Sequence, residues 1–301
     1  MFSRRHPYLF FMLISSAICA TAILGISFLV VFAIRSTDFA DIGKGGEKVG
    51  VIEIAGVITD TNDILHKIKQ FREEPSVKAI VLRIDSPGGA VGPSQEIYRE
   101  IRKTVKSKTV IASMGAVAAS GGYYIAAGTD GIVASAGTIT GSIGVIMGFT
   151  NFQQILHKIG LVPVVVKSGK YKDIGSPVRE MTDNEREMLQ DLVNKIHRQF
   201  VKAVAAGRNI DQAKLEPLAD GRIFTGEEAK DLGLVDRIGN FEDAIEWAGR
   251  RGGIKGKISV VYAPEKKFSF IKYLTGALLT ELSNRTARPV FFPGYLYHPG
   301  G

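Results

Sequence analysis

Residues 115–124 read Gly-Ala-Val-Ala-Ala-Ser-Gly-Gly-Tyr-Tyr. They follow a β-branched apolar run, Thr109-Val-Ile-Ala-Ser113, and lead into the helix formers Tyr124-Ile-Ala-Ala127. The first run has the pattern of a buried strand, so the decapeptide reads as a strand-to-helix turn. Ser120 is its one aliphatic hydroxyl. The small residues around it let a substrate backbone come close, and the amides of Gly121 and Gly122 lie near a helix start, where negative charge is favoured. Serine is also a preferred helix N-cap, so the turn by itself leaves both a nucleophile and a cap open.

Working outward, Val49–Ile58 is dense in β-branched residues and reads as a strand bent at Gly56. Ile64, Leu65, Ile68 and Phe71 recur at helical spacing before Pro75. Lys78–Ile84 is a further strand, and Asp85-Ser-Pro-Gly-Gly89 is expected to be a tight turn. A helix is expected from about Pro93 to Val105. Beyond the central turn, Gly131–Ser135 and Thr138–Met147 read as β, Asn151–Ile159 as helix and Val162–Lys167 as a strand. A polar loop covers Ser168–Pro177. Thr182 with Glu185 forms a capping box for a long helix closed by Gly207, with Met188, Leu189, Leu192, Ile196 and Phe200 as its buried stripe. Short helices at Gly226–Leu232 and Asn240–Arg250 and a strand at Ile258–Tyr262 follow. Such alternation predicts an α/β domain with a largely parallel sheet.

The 28 positions from Pro7 to Ile34 carry no Asp, Glu, Lys or Arg. About 20 apolar residues suffice to cross the hydrocarbon, so an uncleaved anchor is predicted there, not a signal peptide. Arg4 and Arg5 before it, with Asp38 and Asp41 after it, place the N-terminus in the cytoplasm and the rest outside. Residues 35–48 then form a linker. The formal net charge of +8 is scattered, without aromatic interleaving, which argues against nucleic acid and for anionic lipid headgroups. Cys19, the only cysteine, lies within the expected span, so neither a disulfide nor a cysteine metal site is expected outside it. Phe268–Leu282 is apolar but interrupted by Lys272 and Glu281, and reads as an interface or membrane-surface helix. Arg288–Gly301 is expected to lack regular order.

A serine needs a base to become a nucleophile. His66, His157 and His197 fall on charged helix faces, while His6 and His298 lie near the ends, so no histidine suits the part. There is no His-Glu-x-x-His metal motif. Lysine remains, and it is a base only when neutral. A lysine titrates near 10.4 unperturbed, so desolvation or a nearby cation must lower that value. Lys172 in the polar loop is the best placed, with Lys170 and Lys167 as rivals by spacing. An oxyanion hole needs two converging amides; Pro87-Gly88-Gly89 and the residue after Ser120 offer them, though the first could equally be a plain turn.

Five segments in order resemble the signal peptide peptidase A family of serine peptidases: Asp85–Gly89, Ala119–Tyr123, Thr140-Gly-Ser-Ile-Gly144, Tyr171-Lys-Asp-Ile-Gly-Ser-Pro177 and Gly221–Asp236. The resemblance implies an α/β ClpP/crotonase-like ββα-spiral domain over residues 49–264, behind one transmembrane helix at 7–34 and a cytoplasmic N-terminus at 1–6. Residues 265–301 form a C-terminal extension that it covers least. It further implies that Ser120 is the nucleophile and Lys172 the general base, with Ser142 orienting the lysine and Gly89 and Gly121 forming the oxyanion hole. No metal and no cofactor are implied. The implied partners are cleaved signal peptides and other apolar peptides, the bilayer, and further copies in a ring where one protomer's lysine completes its neighbour's site. The implied setting is the bacterial cytoplasmic membrane, with the catalytic domain on its outer side. Alternatives are a stomatin-cleaving membrane protease of the same fold, and a silent scaffold or acyl-CoA-binding member of the wider superfamily.

Overall fold

The computed structural model describes Tyr8, residues 11–12, 15–27 and 46–263, and the backbone of Gly294–Leu296. Contacts divide the chain into two compact units, Met1–Gly46 and Glu47–Gly301. In the first, residues 15–27 are helical. Among the described residues no helix is long and apolar enough to cross a membrane. The expected span at 7–34 lies partly outside them, and the expected helix at Phe268–Leu282 wholly outside.

In the second unit the elements run β1 (Lys48–Ala55), α1 (Asn62–Glu73), β2 (Val77–Ser86), β3 (Gly88–Ala90), α2 (Val91–Thr104), β4 (Thr109–Ala119), α3 (Gly121–Ala126), β5 (Gly131–Ala134) and β6 (Ile139–Gly141). There follow α4 (Gln153–Lys158), α5 (Asp183–Arg208), α6 (Gln212–Leu215), β7 (Ile223–Thr225), α7 (Gly226–Asp231), β8 (Arg237–Ile238), α8 (Phe241–Arg251), β9 (Ser259–Tyr262) and β10 (Gly294–Leu296). The main sheet is ordered β7-β6-β4-β2-β1-β9, with β5 branching from β4 and β8 pairing with β5. Its pairings are parallel except β6 with β7.

Helices cover both faces, which is why β1 and β2 are nearly continuous apolar runs. Residues alternate between two cores. Ile52, Ile54, Ile80, Leu82 and Ile84 pack with α1, α2 and α3, whereas Val49, Val51, Ala79, Val81 and Ile111 pack with Ala244, Ile245 and Ala248 of α8. Phe71 of α1 lies so close to β1 that a methyl group on Gly50 would sit 2.5 Å from its ring.

Strand β4 does two jobs. Its first half, Ile111–Ser113, pairs with β5; its end, Val117–Ala119, pairs with β6. Between them the register against β2 slips, so that Ile84 faces Met114 but Ser86 faces Ala118. The Asp85 side chain fills the slip: Val117 N–H donates to its Oδ1 at 3.1 Å, and a methyl on Gly115 would lie 2.8 Å from its Cγ. A bulge of this kind turns the strand and here delivers Ser120 to a new sheet edge.

Several elements differ from the sequence reading. Half of the expected turn at 115–124 is strand. The 85–89 segment is not a free turn, because β2 continues through Ser86 and β3 begins at Gly88. Of Thr138–Met147 only Ile139–Gly141 is strand, and Val162–Lys167 is not strand at all. Gly207 does not close the long helix, which ends at Arg208 with Asn209 left-handed at φ 52°. Gly207 is instead a crossing point, where a methyl would meet the Ala127 carbonyl at 1.9 Å. In the expected stripe Leu189 and Phe200 are buried, whereas Met188 and Leu192 are 44% and 42% exposed. Gly294–Leu296, in a tail read as irregular, pairs antiparallel with β3.

Candidate active site

Ser120 stands between β4 and α3 with φ 52° and ψ −116°, a conformation L-residues rarely adopt. Strain of this type costs about 1–3 kcal/mol and persists where the surroundings over-determine it. They do here. Ser120 N–H donates to the Gly141 carbonyl at 2.8 Å, and Tyr124 N–H donates to the Ser120 carbonyl at 2.8 Å. The residue is 1% exposed, and its Oγ is buried without a hydrogen-bond partner among the described residues. Ser120 makes no side-chain cap bond, which removes the plain N-cap reading.

Gly89 and Gly121 come together beside it. The Ile58 backbone brackets β3: its N–H donates to the Gly88 carbonyl at 2.9 Å and its carbonyl accepts from Ala90 N–H at 2.8 Å. A methyl on Gly89 would lie 2.1 Å from that carbonyl oxygen. One on Gly121 would lie 2.6 Å from Ser94 Oγ and 3.2 Å from the Gly89 amide nitrogen. Gly89 thus packs directly on the Ile58 backbone, and Gly121 on the Ser94 hydroxyl with the β3 backbone just beyond it.

Ser142 enters from β6. Thr140 Oγ1 donates to the Ala118 carbonyl at 2.7 Å, tying β6 to the last turn of β4. Gly141 and Ser142 both have positive φ, 82° and 49°, and Ser142 N–H donates to the Arg222 carbonyl at 2.8 Å. Ser142 borders a cavity of about 740 Å³ shared with Asn194, His197 and Arg222. His197, read from sequence on a charged face, has its Nε2 buried with no hydrogen-bond partner among the described residues.

Lys172 is elsewhere. It lies in the Ser168–Pro177 loop, is exposed, and does not reach the Ser120 hydroxyl within one chain. Its rivals are engaged: Lys167 forms an ion pair with Asp173, and the Lys170 amine lies 5.2 Å from the Tyr171 ring centre. The chain thus brings Ser120, Gly89, Gly121 and Ser142 together, and leaves Lys172 apart. Among the described residues no group of three or more His, Cys, Asp or Glu side chains is arranged to hold a metal ion.

Residues 102–255 match the family model for peptidase family S49. The chain belongs to this family. It is 44% identical over 234 residues to a Synechocystis sp. protein named as a candidate protease, covering 76% of this chain and 83% of that one. It is 38% identical over 218 residues to an Enterococcus faecium protein named as a candidate signal peptide peptidase SppA, covering 68% and 63%. It is 34% identical over 230 residues to the chloroplastic serine protease SPPA of Arabidopsis thaliana, covering 75% and 34%. Membership makes the chain an SppA-type protease, and its mixed α/β sheet suits that class.

Sequence reasoning missed the ion network behind Lys172. Arg179 Nε donates to Asp173 Oδ2 at 2.8 Å, and its Nη1 and Nη2 donate to the two Glu185 oxygens at 2.8 and 2.5 Å. Glu185 is buried and accepts from Thr182 N–H at 3.0 Å as the α5 capping box. Hydrogen bonds from Arg179 hold the Glu185 carboxyl down at about 2 and push the Asp173 carboxyl well below the carboxylate range. The box was legible at Thr182 and Glu185; Arg179 carried no local signal.

Proposed function

We propose that this chain is a membrane-anchored serine endopeptidase in which Ser120 is the nucleophile and Lys172 the base. The carrying observation is the Ser120 hydroxyl, held in a strained turn, enclosed and without a partner among the described residues, on a chain of a peptidase family. Buried polar groups nearly always find a partner; one that has none among the described residues is poised for another group to complete it.

Lys172 of an adjoining copy is that group. Its exposure in one chain supports this reading, as do its neighbours Val162, Val164 and Val166, which are 71%, 85% and 96% exposed. Water excluded at such a contact favours a neutral amine. In the reaction Lys172 takes the Ser120 proton as Oγ bonds to the scissile carbonyl carbon. The amides of Gly89 and Gly121 receive the charge on oxygen. Lys172 then returns the proton to the leaving amine, and a water deprotonated by Lys172 releases the acyl group from Ser120. Ser142, in this reading, orients the amine.

The substrate is an extended apolar peptide. β10 laid antiparallel on β3, with Tyr295 opposite Gly89, supports this, because it is the pairing a bound peptide strand would adopt. Signal peptide remnants fit that class, and the uncharged stretch at 7–34 fits an anchor in the same membrane. The divided β4, feeding two sheet edges, fits a ClpP/crotonase-like spiral.

A fluorophosphonate probe with peptide mapping tests the nucleophile, and should label Ser120. Ser120→Ala and Lys172→Ala should each abolish cleavage of a fluorogenic apolar peptide. Mixing the two inactive variants should restore part of the activity if the lysine acts across copies. Labelling elsewhere, or full activity in Lys172→Ala, would overturn the assignment.

A further inference from the structure

One side chain, Arg179, ties the loop that carries Lys172 to the start of α5. Asp173 follows Lys172 directly, and three of its atoms are engaged. Its Oδ1 meets the Lys167 amine, its Oδ2 accepts from Arg179 Nε at 2.8 Å, and its carbonyl accepts from Arg179 Nη2 at 3.1 Å. The same guanidinium grips both oxygens of Glu185 and donates to the Glu180 carbonyl at 2.9 Å. A planar fork with five donors can hold two carboxylates and two carbonyls at once; an ammonium cannot. The connection therefore runs from the capped end of α5 through Glu185 and Arg179 to the residue beside the proposed base.

We propose that Arg179 is a positioning residue for the cleavage reaction. It anchors the Lys172 loop to α5 and engages Asp173 so that this carboxylate cannot pair with the adjacent amine. The inference rests on Lys172 being the base. Its logic is electrostatic. A carboxylate near a lysine favours the charged ammonium, which cannot accept a proton. With Lys167 and Arg179 both on Asp173, and Arg179 also on Glu185, two cations and two anions are mutually satisfied. The charged residues adjoining the network are Lys170 and Lys172 in the loop, Lys167 and Glu180 flanking it, and Glu185 and Arg186 of α5.

The test is kcat/KM against pH for the full-length chain with a fluorogenic peptide. Arg179→Met frees one carboxylate oxygen of Asp173, Lys167 staying on the other, so the acid limb should move up by about one pH unit and activity on that limb should fall about tenfold. Adding Asp173→Asn to Arg179→Met should return the limb to its wild-type position, which a merely structural role would not do. Arg179→Lys keeps the charge but can hold only one carboxylate; it should shift the limb in the same direction by less, and serves if Arg179→Met does not fold. An unmoved limb in these Arg179 variants, or the same displacement with and without Asp173, overturns the inference. Lys172→Ala separates the two claims. If it is inactive while the limb is unmoved, only the role of Arg179 falls; if it is fully active, the lysine base and this inference fall together.

Discussion

The amide of Ser120 donates to the carbonyl of Gly141 at 2.8 Å. This bond joins the end of β4 to the end of β6 and places Ser142 one residue from the partner of the proposed nucleophile. Two residues distant in sequence and both at positive φ, Ser120 and Ser142, are thereby held in one backbone frame. The strained turn is thus fixed from outside by a neighbouring strand.

Gly89→Ala is expected to fail in both stability and activity. Its methyl would stand 2.1 Å from the Ile58 carbonyl, a backbone atom that must shift. Overpacking of this sort costs about 1–3 kcal/mol, and a displaced oxyanion amide costs about 10²–10³ in kcat. Thermal melting with steady-state kinetics would check both; an alanine variant with wild-type kcat would remove Gly89 from the site.

The exposed valines offer a test of assembly. Val164→Asp with Val166→Asp puts charge on side chains 85% and 96% exposed in one chain. A charge costs little in water but much at a dry interface. The melting temperature should hardly change at low concentration, while the proposed oligomer should dissociate and cleavage should be lost. Light scattering at several concentrations reads the outcome, and an unchanged oligomer would place the contact elsewhere.

Acid should loosen the end of α5. The Glu185 carboxyl is held down at about 2 by Arg179 and Thr182, against roughly 4.3 in an unfolded chain. A lowered folded value means that the contribution is complete above about pH 4–5 and vanishes as pH falls through about 2. Glu185→Gln keeps a capping side chain but loses the ion pair. Its melting temperature should lie below wild type at pH 7, and the gap should close between about pH 4.5 and 2.

Removing residues after 263 takes β10 off β3. With the edge of Gly88–Ala90 open, the KM for an extended peptide is expected to fall while kcat holds. A KM that rises would mean that the tail builds the peptide lane and does not compete for it.

The elements legible beforehand are those governed by near neighbours. Thr182 and Glu185 lie three positions apart and cap each other, so the start of α5 could be read directly. The apolar runs of β1 and β2 announce a sheet covered on both faces. Val162–Lys167 shows the limit of such reading: its β-branched residues suit a strand, but a strand exists only where another backbone supplies its hydrogen bonds. Gly207 shows another, since glycine suits a helix end and a close helix crossing equally well, and only the Ala127 carbonyl beneath it decides.

By itself the amino-acid order set out the candidate groups: a serine among small residues, glycines at two strand ends, and a loop rich in lysine. Tertiary structure alone decided the assembly of those parts. The register slip at Asp85, the Ile58 bracket around Gly89 and the reach of Arg179 to both Asp173 and Glu185 join atoms distant in sequence or brought round by an irregular loop. Their energies depend on distances that no local pattern encodes, whereas a cap or an apolar stripe depends only on residues within one helical turn.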